Sequence, residues 1–172
     1  MKPGGSVFVC SWNVIPVTSS SENTVSDSRL LDNQATGGDG GAAGAGGAHG
    51  GNGGAGQGGA LLTAFGVKAT LSDTTLLLNE AQGGAGAAGG NGGNGQGGGI
   101  FNGGPSPFGT PDLTLLGCLV MLNEADGGPA GAGGSAGQGL GGGVFNLGTF
   151  TFDGTTVIAQ NHASTSGDNI NP

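Results

Sequence analysis

The sequence predicts an all-β solenoid, a parallel β-helix of about three to four rungs, with long glycine-rich segments of polyproline II type packed at one side. Glycine recurs at every third position in three tracts, which is the period of a polyproline II helix. The first glycines of the three frames, Gly38, Gly83 and Gly128, are 45 residues apart. The frames are Gly38, Gly41, Gly44, Gly47, Gly50, Gly53, Gly56 and Gly59, then Gly83, Gly86, Gly89, Gly92, Gly95 and Gly98, then Gly128, Gly131, Gly134 and Gly137.

The composition favours an ordered chain in spite of its glycine content. Glycine is 45 of 172 residues, which is typical of a linker or a disordered segment. Disorder requires low hydrophobicity with high net charge, whereas only 8% of these residues are charged. Disordered tracts remain the alternative, because ordering glycine costs backbone entropy. The strict triplet argues against that alternative, since a flexible linker has no reason to keep glycine in frame.

A second repeated block lies between the tracts and ends in Asn-x-Ala. Its copies are TVSDSRLLDNQA from Thr24, TLSDTTLLLNEA from Thr70, TLLGCLVMLNEA from Thr114 and TFDGTTVIAQNHA from Thr151. The asparagines predict a structural ladder of Asn33, Asn79, Asn123 and Asn161. Three residues earlier stands an aliphatic residue, which predicts a core stack of Leu30, Leu76, Val120 and Ile158.

Local patterns favour strands over helices in each block. Apolar and polar residues alternate at Leu113–Leu115 and Phe150–Phe152, as in half-buried strands. Another short strand is expected after each tract, as in GGGIFN and GGGVFN, so each repeat supplies about three strands. Stacked copies of an asparagine would lie about 4.8 Å apart, within reach of a side-chain hydrogen bond. Asparagine also tolerates the left-handed backbone of a tight corner.

The order of glycines, strands and Asn-x-Ala resembles a known family over residues 24–163. GGGIFN followed by LTLLGCLVMLNEA, and GGGVFN followed by TFTFDGTTVIAQNHA, are similar to the repeats of polymorphic outer-membrane proteins and autotransporter passengers. This resemblance implies a right-handed β-helix and an extracellular or cell-surface location. The tracts depart from that family in their length. They resemble the polyglycine II bundles of snow flea antifreeze proteins and phage tail-fibre tips, and the glycine-rich domains of mycobacterial PE-PGRS proteins.

The chain is expected to form a single repeat domain over residues 1–172. Residues 1–23 form an N-terminal rung or cap, residues 24–163 the β-helix repeats, and residues 164–172 a C-terminal tail. The glycine tracts are residues 37–59, 83–99 and 127–143. About ten residues out and ten back in polyproline II geometry would project roughly 30 Å. Residues 1–17 do not match a secretory signal, so export depends on information elsewhere or the chain is a fragment.

The net charge and the short apolar runs argue against nucleic-acid and membrane partners. The net charge is −8, and Lys2, Arg29 and Lys68 are the only lysines and arginines, so nucleic acid and anionic membranes are poor partners. No membrane insertion is expected, because no run approaches about 20 apolar residues. A disulfide between Cys10 and Cys118 is possible, but their spacing gives it no support and two unpaired thiols are the simpler interpretation.

We find no sequence support for a catalytic residue, a cofactor or a metal site, and the chain is not expected to be an enzyme. The calcium-binding repeat G-G-x-G-x-D begins correctly at Gly37 but has Ala42 where the ligand belongs. His49 and His162 have no nucleophile arranged around them. Each Asn-x-Ala copy has a polar residue at its middle position: Gln34, Glu80, Glu124 and His162. This recurrence indicates a column of polar turn residues.

The function expected from these observations is structural, with self-association end to end into a filament or fibre-like array at the cell surface. A solenoid leaves unpaired strand edges at its ends unless they are capped. Three alternatives stay open: an adhesin or carbohydrate-binding passenger that takes a surface glycan, an ice-binding protein, and a polysaccharide-degrading β-helix enzyme.

Overall fold

The computed structural model describes residues 22–45 and 49–172. Regular secondary structure in these residues consists of nineteen short β-strands. None of the described residues lies in a helix that could cross a membrane. Of the rung or cap predicted for residues 1–23, only Glu22 and Asn23 are described, and they open the first strand; Cys10 lies outside the described residues.

Three sheets are formed by the Asn-x-Ala blocks and the residues just before them. The first sheet consists of β1 (Glu22–Ser26), β6 (Lys68–Ser72), β11 (Asp112–Leu116) and β16 (Thr149–Phe152). The second consists of β2 (Arg29–Leu31), β7 (Thr75–Leu77), β12 (Leu119–Met121) and β17 (Val157–Ala159). The third consists of β3 (Gln34–Thr36), β8 (Glu80–Gln82), β13 (Glu124–Asp126) and β18 (His162–Ala163).

Two further sheets follow the glycine tracts. The fourth consists of β4 (Gly56–Gln57), β9 (Gly95–Gln96) and β14 (Gly139–Leu140). The fifth consists of β5 (Leu61–Thr63), β10 (Ile100–Asn102), β15 (Val144–Asn146) and β19 (Ile170–Asn171). The prediction of about three strands per repeat is therefore corrected to five in each of the first three repeats. Corner residues with positive φ, such as Asp73 and Leu78, divide one block into three strands.

Every strand pairs in parallel with the strand at the same position of a neighbouring repeat. The described chain is thus all-β, with stacked parallel strands in five sheets. This arrangement is compatible with a parallel β-helix or solenoid.

The last repeat returns to the fifth sheet without a glycine tract. After β18, Ser166 bridges Leu140 and β19 pairs with β15. Gly167 has φ +72° and stands three residues before its strand, as Gly97 and Gly141 do. The turn that opens the fifth-sheet strand is therefore kept, and residues 164–172, predicted to be a tail, add a strand instead.

The core lies between the sheets, and buried residues alternate with more exposed ones along the strands that form it. Leu113 and Leu115 are buried on either side of the half-buried Thr114. Fully buried side chains of the core are Leu71, Leu76, Ile100, Leu113, Leu115, Val120 and Val144. Phe101 and Phe145 stack across β10 and β15 with ring centroids 5.6 Å apart.

Each glycine tract runs from a strand of the third sheet to a strand of the fourth, and its two arms are joined by backbone hydrogen bonds. Within tracts, Gly54 N–H donates to Gly38 at 2.7 Å, Gly93 to Gly84 at 2.9 Å and Gly137 to Gly128 at 2.9 Å. Between tracts, Gly84 donates to Gly54 and Gly128 donates to Gly93. Donors to the next tract recur every third residue, as at Gly86, Gly89 and Gly92. The tracts are therefore hydrogen-bonded to one another.

Candidate functional site

The four predicted ladder asparagines are joined side chain to side chain. Asn33 Nδ2 donates to Asn79 Oδ1 at 2.8 Å, Asn79 to Asn123 at 2.8 Å, and Asn123 to Asn161 at 2.9 Å. The ladder has one more member, because Asn161 donates to Asn169 Oδ1 at 3.2 Å. Sequence reasoning missed Asn169, since it follows Asn161 by only eight residues and lacks the Asn-x-Ala pattern.

The corner itself is not formed by the asparagines. Positive φ angles belong to the residues just before them, Asp32, Leu78, Leu122 and Gln160, at 52 to 57°. This corrects the expectation that asparagine supplies the left-handed conformation. With the bend one residue earlier, the asparagine side chain turns inward, where its amide meets the next copy.

The predicted core stack runs beside the ladder. Leu30, Leu76, Val120 and Ile158 are in register on the second sheet. Leu76 and Val120 are buried, whereas Leu30 and Ile158 are half-buried and pack against the core from its two ends. Asn123 Nδ2 also donates to the Leu76 carbonyl at 3.1 Å, which ties the ladder to the stack.

A second polar ladder lies on the fifth sheet. Thr63 Oγ1 donates to Asn102 Oδ1 at 2.6 Å, and Asn102 Nδ2 donates to Asn146 Oδ1 at 2.7 Å. Thr63 and Asn102 are buried. These contacts pair the side chains with one another and hold the repeats in register.

The third sheet carries the column of Gln34, Glu80, Glu124 and His162 on its outer face. The four residues are in register, and Gln34 Nε2 donates to Glu80 Oε2 at 2.9 Å. At the last two repeats the column meets Asp126, and ligand atoms of Glu124, Asp126 and His162 lie within 4.8 Å of one another. Sequence reasoning missed Asp126, because its own column contains Thr36 and Gln82.

The Glu124 carboxyl is surrounded by the ionisable groups of Asp126, His162 and Glu80. Partial burial raises the pKa of the Glu124 carboxyl above its usual value, and the negative charge of Asp126 raises it further. His162 acts in the opposite direction. A positive charge beside Glu124 would favour its ionised form.

The outer face of the first sheet carries a column of threonines. Thr24, Thr70, Thr114 and Thr151 are in register, and the Thr114 and Thr151 hydroxyl oxygens are 3.1 Å apart. On the same face, Glu22, Lys68 and Asp112 form a parallel column of charges. The outer face of the first sheet therefore combines hydroxyl groups with charges of both signs.

An exposed aromatic pair stands on the loops between the fifth and first sheets. Phe65 and Phe108 are 64% and 66% exposed, and their rings meet edge to face with centroids 6.3 Å apart. Phe65 has φ +57°, a conformation that bulky residues avoid. Leu62 and Leu147 are also exposed. These four exposed side chains form an apolar region outside the core.

The remaining residues singled out in the sequence are separated from these features. His49 lies beside Gly89 in the glycine segments. Cys118 is buried, and its Sγ donates to the Leu71 carbonyl at 3.4 Å. Cys10 lies outside the described residues, so the prediction of two unpaired thiols is described only at Cys118.

Comparison with protein-family models, with curated proteins and with solved structures gives no match in any of the three. The resemblance to β-helix repeats of surface proteins therefore depends on the repeated residues alone.

Proposed function

We propose that this chain is a structural protein of the cell surface or extracellular space that associates end to end with further copies of itself. In this proposal the five sheets form a right-handed parallel β-helix, and the tracts form a polyglycine II bundle beside it. The in-register parallel pairing of all five sheets supports the coil. The three-residue recurrence of hydrogen bonds between tracts supports the bundle, because three residues make one turn of polyproline II.

The observation that carries self-association is Phe152 on β16. Its partner in register, Leu115, is fully buried, but Phe152 is 52% exposed. In the described residues no strand pairs with the outer edge of β16, β17 or β18. Such edges template pairing with another chain. A second copy stacked here would cover Phe152 as Leu115 is covered by the repeat next to it.

We expect the purified chain to form elongated particles, and we expect Phe152→Lys to reduce them to monomers. The lysine places a charge on the face that a second copy would cover. Sedimentation velocity and negative-stain images give the readout. Phe108→Lys is the matched control, because Phe108 is at least as exposed but lies away from this edge. A wild-type chain that sediments as a single monomeric species would overturn the proposal, as would assembly that Phe152→Lys leaves intact.

Binding of a surface glycan is the second candidate, and the pair Phe65 and Phe108 favours it. Exposed apolar patches mark interaction sites, and aromatic rings pack well against the apolar faces of sugar rings. The positive φ of Phe65 adds a second observation, because unfavourable backbone conformations persist where a function needs them.

Phe65→Asn is expected to abolish glycan binding without lowering stability, because asparagine tolerates the left-handed conformation better than phenylalanine. Binding is measured on a glycan array and stability by thermal unfolding. Phe108→Ala should abolish binding as well, whereas Phe152→Ala should leave it unchanged. If wild-type chain binds no glycan on the array, this candidate is rejected.

A further inference from the structure

The third sheet brings two carboxylates and an imidazole together by simple strand geometry. Glu124 and Asp126 are two residues apart on β13, so their side chains point to the same face. His162 on β18 is the direct neighbour of Glu124 across the parallel pair. One ligand atom from each residue lies within 4.8 Å of the other two.

We propose that Glu124, Asp126 and His162 bind a divalent transition-metal ion of the zinc type. Imidazole nitrogen and carboxylate oxygen are both ligands of Zn²⁺, and a nitrogen in the set favours such ions over Ca²⁺ and Mg²⁺, which take oxygen ligands. Glu124 and His162 are exposed and Asp126 is half-buried, so water has access to the remaining coordination positions.

The carboxyl group of Asp168 lies next to the imidazole ring of His162. Its Oδ1 accepts the Ala163 N–H at 3.0 Å and lies 3.7 Å from His162 Nδ1. Metal-binding histidines commonly direct their second nitrogen toward a carboxylate, which orients the ring. This placement leaves Nε2 as the nitrogen turned away from Asp168. Asp168 is therefore a positioning residue of the proposed site.

The ion would connect the last two strands of the third sheet. Glu124 and Asp126 belong to β13 and His162 to the edge strand β18. An ion that binds only the folded chain stabilises it by mass action. Its binding would therefore hold the final repeat on the coil, a role separate from end-to-end association.

The test is calorimetric titration of the chain with Zn²⁺, without a polyhistidine tag and in a Cys10→Ser background that removes one competing thiol. We expect one ion per chain. Glu124→Gln and His162→Gln should each weaken binding about tenfold or more, since loss of an outer-shell partner alone can cost that much. Glutamine is a conservative replacement, because Gln34 occupies the same column in the first repeat.

His49→Gln is the matched control, since it removes the only other histidine and should bind zinc like the parent. With Co²⁺ as the probe, amide signals of residues 124–126 and 162–163 should broaden first in NMR spectra. The proposal is overturned by the absence of zinc binding in the parent, by unchanged affinity in His162→Gln, or by broadening centred elsewhere.

Discussion

Replacing Asn123 by alanine is expected to lower the free energy of unfolding by about 3 kcal/mol. The substitution leaves the Asn79 backbone N–H without its partner. It also takes one hydrogen bond each from the Asn79 side-chain amide, the Leu76 carbonyl and the Asn161 side-chain oxygen, which keeps the backbone N–H of residue 123. An unpaired buried N–H costs about 1–3 kcal/mol and each further lost hydrogen bond about 0.5–1.5 kcal/mol, which together account for about 3 kcal/mol. Urea unfolding followed by circular dichroism gives the measurement.

The control for Asn123→Ala is Asn33→Ala at the other end of the ladder. Asn33 is only half-buried, and its Nδ2 donates to Asn79 Oδ1. Water can replace part of what is lost there, so a cost of about 1 kcal/mol is expected. Equal losses in the two variants would mean that the interior of the ladder contributes no more than its end.

Replacing Gly128 by alanine is expected to destabilise the chain by about 1–3 kcal/mol, the usual cost of an extra methyl group in a well-packed interior. A Cβ at Gly128 would overlap the backbone carbonyl groups of Gly83 and Gly84 in the neighbouring tract. Gly128 also donates to Gly93 and accepts from Gly137, so the segment cannot move away without losing these bonds. Thermal unfolding of the variant measures the loss.

Gly38→Ala is the matched control in the glycine tracts, and the opposite sign is expected for it. A Cβ at Gly38 meets no atom within 4 Å, and its φ is not positive. Alanine at a compatible position stabilises by about 0.4–1 kcal/mol, because it restricts the unfolded chain. If both variants lose stability equally, close packing is not the reason for glycine in these tracts.

The periodic features of this fold could be predicted from the sequence, because each is repeated at a fixed interval. Asn-x-Ala located Asn79 and Asn123, and the aliphatic residue three positions earlier located Leu76 and Val120. The glycine triplet indicated segments that approach one another closely. These columns can be predicted without knowing the conformation of the turns between the strands.

Features that depend on single positions could not be predicted. Leu78 and Leu122 adopt positive φ, which local preference assigns to glycine or asparagine. Glycine has low β-propensity, so the strand Gly95–Gln96 carries no strand signal of its own and exists because its neighbours pair with it. The proximity of Asp126 and His162 follows from the register of β13 and β18 together with side-chain direction. A list of ionisable residues in sequence order does not reveal it.

The return of the last repeat to the fifth sheet without a glycine tract has a consequence for how such chains can vary. Only a few residues connect Ala163 to β19 in the last repeat. In each of the other repeats, the connection between the third and the fifth sheet contains an entire glycine tract. The connection between the third and the fifth sheet is therefore a point at which the chain length can change without disturbing the strand register. In the proposed β-helix, the glycine tracts would set the lateral width, and the number of Asn-x-Ala blocks would set the axial length.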